Sequence, residues 1–207
     1  NITKEATFTN ITGNDPVALK GKTFNVWGTV TTANGSAVNG PQVEIILKAD
    51  KMDYNETGLV VGVGFVEEGF FNVTCDASTE LAVGDYDLVA HTLENRWYLE
   101  SVSDPPIRLM SETDVSISGP KRVYAEKNIT YRGIVVETAT GEPLANATLR
   151  VWYLNKTMEL VSDDQGRISF PAFFPEDGEA TISMSMEETD YYVGSSTSFG
   201  VSVMLPP

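Results

Sequence analysis

Apolar and polar residues alternate along most of the chain. In "TFNVWGTV", Phe24, Val26, Gly28 and Val30 fall on one face of an extended backbone, and Thr23, Asn25, Trp27 and Thr29 on the other. "QVEIILKA" alternates Val43, Ile45 and Leu47, and "YDLVAHTL" alternates Tyr86, Leu88, Ala90 and Thr92. Such period-two runs, punctuated by Gly, Pro and Asn, predict antiparallel sheets with one buried face. No 3.6-residue periodicity persists for three turns, so no helix is predicted.

The pattern occurs twice. "TFTNITG" ending at Gly13 aligns with "TDVSISG" ending at Gly119, and "FNVWGTV" around Gly28 with "ITYRGIV" around Gly133. "EEGFFNV" at Gly69 aligns with "DQGRISF" at Gly166, each predicted to be a hairpin turn that re-enters its sheet. "GDYDLVAHTLENRWYLES" aligns with "GEATISMSMEETDYYVGS", which places Tyr98 and Tyr192 at one structural address just before the last strand. There an aromatic is expected to cover the open end of a core, with Trp97 and Tyr191 more exposed. The offset drifts from about 106 to about 94 residues, and a longer loop at 50–57 in the first copy accounts for part of it. About seven strands in each copy of roughly a hundred residues suffice for a two-sheet sandwich. The domains are expected at 1–109 and 110–207.

The segment "MEETDYYVGSSTSFGVSVML" resembles the closing hairpin of bacterial and archaeal immunoglobulin-like repeats, in which a "Y-x-G-D-x-x-Y-x-x-S" run precedes the last strand. "GDYDLVA" resembles the "G-x-Y-x-L-x-A" strand that comes before it. "TGEPLANATLRVWY…SDDQGRISF" is similar to carboxypeptidase-regulatory-like and Cna-B-like modules. The glycine–aspartate of the first pattern is missing from both copies (Leu93-Glu94-Asn95 and Met186-Glu187-Glu188). The resemblance implies an all-β chain of two tandem immunoglobulin-like antiparallel β-sandwiches. It further implies the role such modules have in long surface proteins, spacing and adhesion, and it carries no catalytic residues.

Charge narrows the partners. With 29 acidic against 14 basic residues the net charge is −15, so nucleic acid is excluded as a partner class. The acids are dispersed, as on a soluble, self-repelling surface. No stretch is apolar enough to span a membrane as a helix. The chain lacks an initiator methionine and reads as a segment of a larger protein.

Eight of the twelve asparagines are followed at +2 by Ser or Thr, where chance gives about two. They are Asn1, Asn10, Asn34, Asn55, Asn72, Asn128, Asn146 and Asn155, and the last seven are the predicted N-glycosylation sites. Asn34, Asn55, Asn146 and Asn155 fall in predicted loops; Asn72 and Asn128 fall in strands with outward side chains. The excess predicts an extracellular, cell-surface glycoprotein. With an unpaired cysteine it suits an archaeal envelope better than a eukaryotic secreted domain, which more often carries disulfides.

Candidate chemistry is sparse. Cys75 and His91 are each the only residue of their kind, so no intrachain disulfide, zinc cluster or redox pair can form. Cys75 reads as a small buried hydrophobe. His91 falls on the solvent face of its strand, and a Cys75/His91 dyad would lack a third member. The pairs Glu67-Glu68, Asp163-Asp164 and Glu187-Glu188 lie at predicted turns, and a small sandwich lacks the cleft a glycosidase needs. No cofactor is predicted. Calcium at the interdomain junction is a candidate through Glu100, Asp104, Glu112 and Asp114. Pro105-Pro106 is expected to act there as a stiff linker.

These observations predict a non-catalytic structural or adhesive module pair, a glycosylated stiff spacer in an extracellular surface protein or filament. Its expected partners are other modules of the same chain, neighbouring subunits, or cell-surface carbohydrate. A filament built by strand donation would have only residues 1–5 to donate. The alternative reading is a carbohydrate-binding or positioning arm of a secreted enzyme such as a peptidase. A carbohydrate-binding module would align Trp27, Trp97 and Trp152 on one sheet face.

Overall fold

The computed structural model describes residues 3–49 and 58–206, and these form strands and no helix. The 50–57 loop lies outside them. The chain divides into two compact units, Asn1–Met110 and Ser111–Pro207.

Unit 1 contains β1 (Thr7–Asn14), β2 (Ala18–Leu19), β3 (Thr23–Thr32), β4 (Gln42–Ala49), β5 (Leu59–Phe65), β6 (Phe70–Asp76), β7 (Gly84–Thr92), β8 (Ser101–Ser103) and the first residues of β9 (Pro106–Ser118). One sheet has the order β1-β3-β6, antiparallel throughout. The other has the order β2-β9-β7-β4-β5, antiparallel except for the short parallel pair of β2 with β9. Alternation supplies the core: Phe24, Val26, Phe71 and Val73 from the first sheet meet Ile45, Leu47, Leu88 and Leu109 from the second. Each such side chain contributes about 1.5–3 kcal/mol by leaving water.

Unit 2 contains the later residues of β9, then β10 (Arg122–Tyr124), β11 (Asn128–Glu137), β12 (Thr148–Tyr153), β13 (Lys156–Val161), β14 (Arg167–Phe173), β15 (Gly178–Met186), β16 (Tyr192–Val193) and β17 (Ser195–Met204). Its sheets are β9-β11-β14 and β10-β17-β15-β12-β13, again antiparallel except for the parallel pair of β10 with β17. This is the order of unit 1 strand for strand, a three-stranded sheet facing the strands of an immunoglobulin-like second sheet. Tyr131, Leu149, Phe170, Phe174, Ile182 and Met184 fill its core.

Several expectations are corrected. The turns at Gly69 and Gly166 close as hairpins, Glu67 exchanging backbone hydrogen bonds with Phe70 and Asp163 bonding Gly166 and Arg167, but the chain does not re-enter the same sheet. The strand before each turn pairs with β4 or β12, and the strand after it with β3 or β11, so the chain crosses from one sheet to the other. Both glycines have positive φ (81° and 67°), and their carbonyls accept from Val30 and Val135 of the receiving strand. Pro105-Pro106 is not a linker between the units. Pro106 opens β9, and the Pro105 carbonyl accepts from Leu88 of β7 at 2.8 Å, within the last strand of unit 1. Proline offers no N–H to the ladder, so this strand is broken into β8 and β9 where unit 2 has the continuous β17. Glu5 is not left over for donation, because its N–H and C=O are bonded to Trp97 and Leu99. Val43, Ile45 and Leu47 alternate into the core as expected; Ile46 on the other face is buried as well, outside the core cluster, and the register shift beside it leaves Val61 of β5 as the extra residue.

Candidate functional site

The residues able to do chemistry are kept apart. Cys75 projects from β6 into the core, 1% exposed. Burial, with a smaller effect of the Asp76 charge, pushes its thiol up to about 12. A nucleophilic thiolate is thus suppressed near neutral pH. His91 projects from the outer face of β7, opposite Leu88 and Ala90, with Nε2 2.8 Å from Glu100 Oε2. Cys75 points inward from one sheet and His91 outward from the other, so the dyad geometry is not made.

All six members of the carboxylate pairs are exposed, at turns or just past strand ends. Asp163 Oδ1 accepts from the backbone N–H groups of Gln165 and Arg167, both at 2.9 Å, and so shapes the Gly166 turn. Among the described residues no group of three or more His, Cys, Asp or Glu lies close enough to hold a metal ion. Of the calcium candidates, Glu100 pairs with His91, while Glu112 and Asp114 border an open recess with Thr138 and Gly194.

Two grooves are larger than this recess. One, of about 410 Å³ in unit 2, runs past Asn146, Thr148, Arg150 and Tyr192. Arg150 is held there between Glu159 and Glu187, each at 3.1 Å, which raises its pKa mainly through the hydrogen bond to Glu159. Ser185 and the carboxylates of Glu159, Glu187 and Glu188 line it as well, with no histidine or cysteine beside them. The other, of about 420 Å³ in unit 1, is shallow and is lined by Phe65, Glu67, Phe70, Phe71 and Asn72.

The repeated aromatics are scaffold. Tyr98 packs against the core of unit 1 and Tyr192 against that of unit 2. Their segments latch onto the start of the first strand of their own unit in matching fashion. Glu5 donates to the Trp97 carbonyl at 2.8 Å, and Ser111 to the Tyr191 carbonyl at 2.9 Å. Trp97 is 53% exposed beneath the Arg96 guanidinium, whereas Tyr191 is half-buried, as Tyr192 is. The three tryptophans do not share a sheet face: Trp27 lies on β3, Trp97 in the segment before β8, and Trp152 on β12 of unit 2.

The acceptor asparagines have a consistent placement. Asn10, Asn34, Asn72, Asn128, Asn146 and Asn155 are all exposed, and so is the Ser or Thr two residues after each. Asn34 and Asn155 lie in turns, Asn146 has a φ of 58°, and Asn10, Asn72 and Asn128 lie on strands. Asn55 lies outside the described residues.

Sequence reasoning missed an exposed aromatic face. On the outer side of β1-β3-β6, Phe8 is 59%, Trp27 40% and Phe70 64% exposed, with Phe65 of β5 at 62% beside Phe70. Its signal was available: in both "FTNIT" and "FFNVT" a phenylalanine stands two residues before an acceptor asparagine, which in a strand puts both on one face.

No family model matches this chain, and no curated protein matches it. Among solved structures it is similar to the Yersinia pseudotuberculosis adhesin InvE, with 15% identity, a TM-score of 0.39, and coverage of 97% of this chain and 58% of that one. It is also similar to the CARDB domain of a Pyrococcus furiosus protein, with 22% identity, a TM-score of 0.37, and coverage of 47% of this chain and 98% of that one. Fibronectin(III)-like modules of Clostridium thermocellum CbhA align with 15% identity, a TM-score of 0.34, and coverage of 95% and 93%. Strand order, rather than these superpositions, defines the class: an all-β protein of antiparallel, immunoglobulin-like sandwich units.

Proposed function

We propose that this chain is a non-catalytic structural and adhesive segment of an extracellular surface protein, with N-linked sugars on its acceptor asparagines. The observation that carries the reading is the exposure of every described acceptor together with its +2 hydroxyl residue. An enzyme that attaches sugar must reach both groups, and strands that merely alternate Asn and Thr by chance would not extend the pattern to the turns at Asn34, Asn146 and Asn155. Two further features support a spacer. The lone thiol is buried and chemically silent. In each unit a short early strand pairs in parallel with the last one, so tension along the chain loads these pairs in shear.

Sugars and negative charge keep such a surface from sticking laterally. Neighbouring modules or subunits, and cell-surface carbohydrate, are the partners this role implies. The test is glycopeptide mass spectrometry of this segment in protein from its native source. Peptides carrying the acceptor asparagines are expected to exceed their bare masses by one glycan for each occupied site. Bare masses at all of the acceptors overturn the reading.

A further inference from the structure

The exposed aromatic face of unit 1 and two of its acceptor asparagines share one surface. Asn10 and Phe8 alternate along β1 on the outer side, as do Asn72 and Phe70 along β6. Trp27 stands on β3 between them. It is directly opposite Asn72 in the register and diagonal to Asn10, whose own partner is Thr29. Such neighbours lie about 5 and 7–8 Å apart, within reach of an indole. The Trp27 ring lies over Gly13, where a Cβ would meet it at 2.5 Å. The shallow groove at Asn72 opens between Phe65 and Phe70.

Unit 2 differs at the matching positions. In the matching register its outer sheet face carries Asp114, Ser116, Arg132, Arg167 and Ser169 where unit 1 carries Phe8, Asn10, Trp27, Phe70 and Asn72. At these five positions rings and acceptors are present together in unit 1 and absent together in unit 2, whose one acceptor on this face, Asn128, stands at the strand end opposite the half-buried Phe173. At the other described acceptors the residue two before is Thr32, Glu126, Leu144 or Tyr153, and the only aromatic among these four, Tyr153, is buried.

We infer that the sugars attached at Asn10 and Asn72 fold back onto this face, with the Asn72 glycan seated in the groove between Phe65 and Phe70 and both glycans flanking Trp27. The inference rests on the glycosylation reading above. Attachment joins the asparagine Nδ2 to the anomeric carbon of a sugar carried on a lipid diphosphate; the diphosphate leaves and the amide loses one proton. A pyranose has one face made mainly of C–H groups, which packs on an aromatic ring and removes apolar area from water on both sides. Four large exposed rings on a strongly acidic chain are a liability when bare. Covalent attachment keeps the sugar at high local concentration, so even a weak stack is populated.

The experiment uses the full chain secreted from an N-glycosylating host, trimmed enzymatically to one N-acetylglucosamine per site, beside N10Q/N72Q and F65A/F70A variants. Glycopeptide mass spectrometry reads occupancy; thermal unfolding and acrylamide quenching of tryptophan read the stacking. We expect both sites occupied, the unfolding midpoint of unit 1 raised by several degrees over N10Q/N72Q, and Trp27 quenching reduced. The rise should shrink in F65A/F70A, whose exposed positions leave the core intact. If Asn10 and Asn72 are unmodified in this host and in native material, the glycosylation reading itself fails at these sites. If they are occupied but the stability gain is absent, or is the same with and without Phe65 and Phe70, the sugars are not seated on the rings and only this inference falls.

Discussion

The hydroxyl of Thr113 donates to the main-chain carbonyl of Val193 at 2.7 Å and shares a second hydrogen bond with Ser195 Oγ at 2.8 Å. In unit 1 Thr7 makes the same pair of bonds, to the Leu99 carbonyl and to Ser101 Oγ, both at 2.8 Å. The two threonines open the aligned "TFTNITG" and "TDVSISG" segments, and their partners follow the aligned Tyr98 and Tyr192. The latch ties the first strand of each unit to the approach of its last strand.

Replacing Thr113 with Val keeps the shape and removes the donor, leaving the Val193 carbonyl short of a partner. We expect a loss of about 1–2 kcal/mol, read as a lower urea midpoint with an unchanged m-value. Thr113→Ser should retain most of the stability. Thr7→Val should act on unit 1 in the same way. An unaffected midpoint in both would show the latch to be incidental.

Gly28 and Gly133 are aligned, and neither has room for a methyl group. A Cβ on Gly28 would sit 2.2 Å from the Asn10 carbonyl and 2.5 Å from the Phe71 ring; on Gly133 it would meet Met184 Sδ at 2.6 Å and Ile168 at 2.9 Å. Overpacking typically costs about 1–3 kcal/mol. Gly28→Ala is expected to be the worse of the two, because a backbone carbonyl yields less than a methionine side chain. Denaturation of the two variants checks the order.

Cys75 should resist alkylation by iodoacetamide at pH 8 in the folded protein and react once denatured. Its folded pKa, about 12, lies above the ordinary value of 9.0. Its contribution to stability is therefore fully present below pH 9 and is lost as the pH rises from about 9 to about 12. Cys75→Ala should flatten that part of the alkaline limb. Ready labelling of the native protein at pH 8 would contradict the buried placement.

The unit 2 core draws only on residues from Val115 onward, and the unit 1 core on residues up to Leu109. A fragment spanning 111–207 is accordingly expected to fold alone, because the later residues of β9 keep their pairing with β11. A dispersed amide spectrum and one cooperative thermal transition are the expected readouts. A disordered fragment would show that the unit depends on what precedes it.

Much of this was legible in the chain. Alternation in "TFNVWGTV" and "YDLVAHTL" assigned the buried faces of β3 and β7 residue by residue, because burial on one side of an extended backbone forces a period of two. The alignment of "RWYLES" with "DYYVGS" identified one structural address, since local turn chemistry is written in local residues. It went wrong at Gly69 and Gly166, where the turns close as hairpins but the chain changes sheets. Period two states which face of a strand is buried and says nothing about which strand lies beside it.

The sequence by itself determined strands, their buried faces, the repeat and the acceptor asparagines, because each is a property of neighbours along the chain. Only the tertiary structure decided that Cys75 and His91 leave different sheets in opposite directions, and that Trp27 on β3 stands between Asn10 on β1 and Asn72 on β6. Those relationships depend on which strands pair and in what register, and packing of the whole core fixes that.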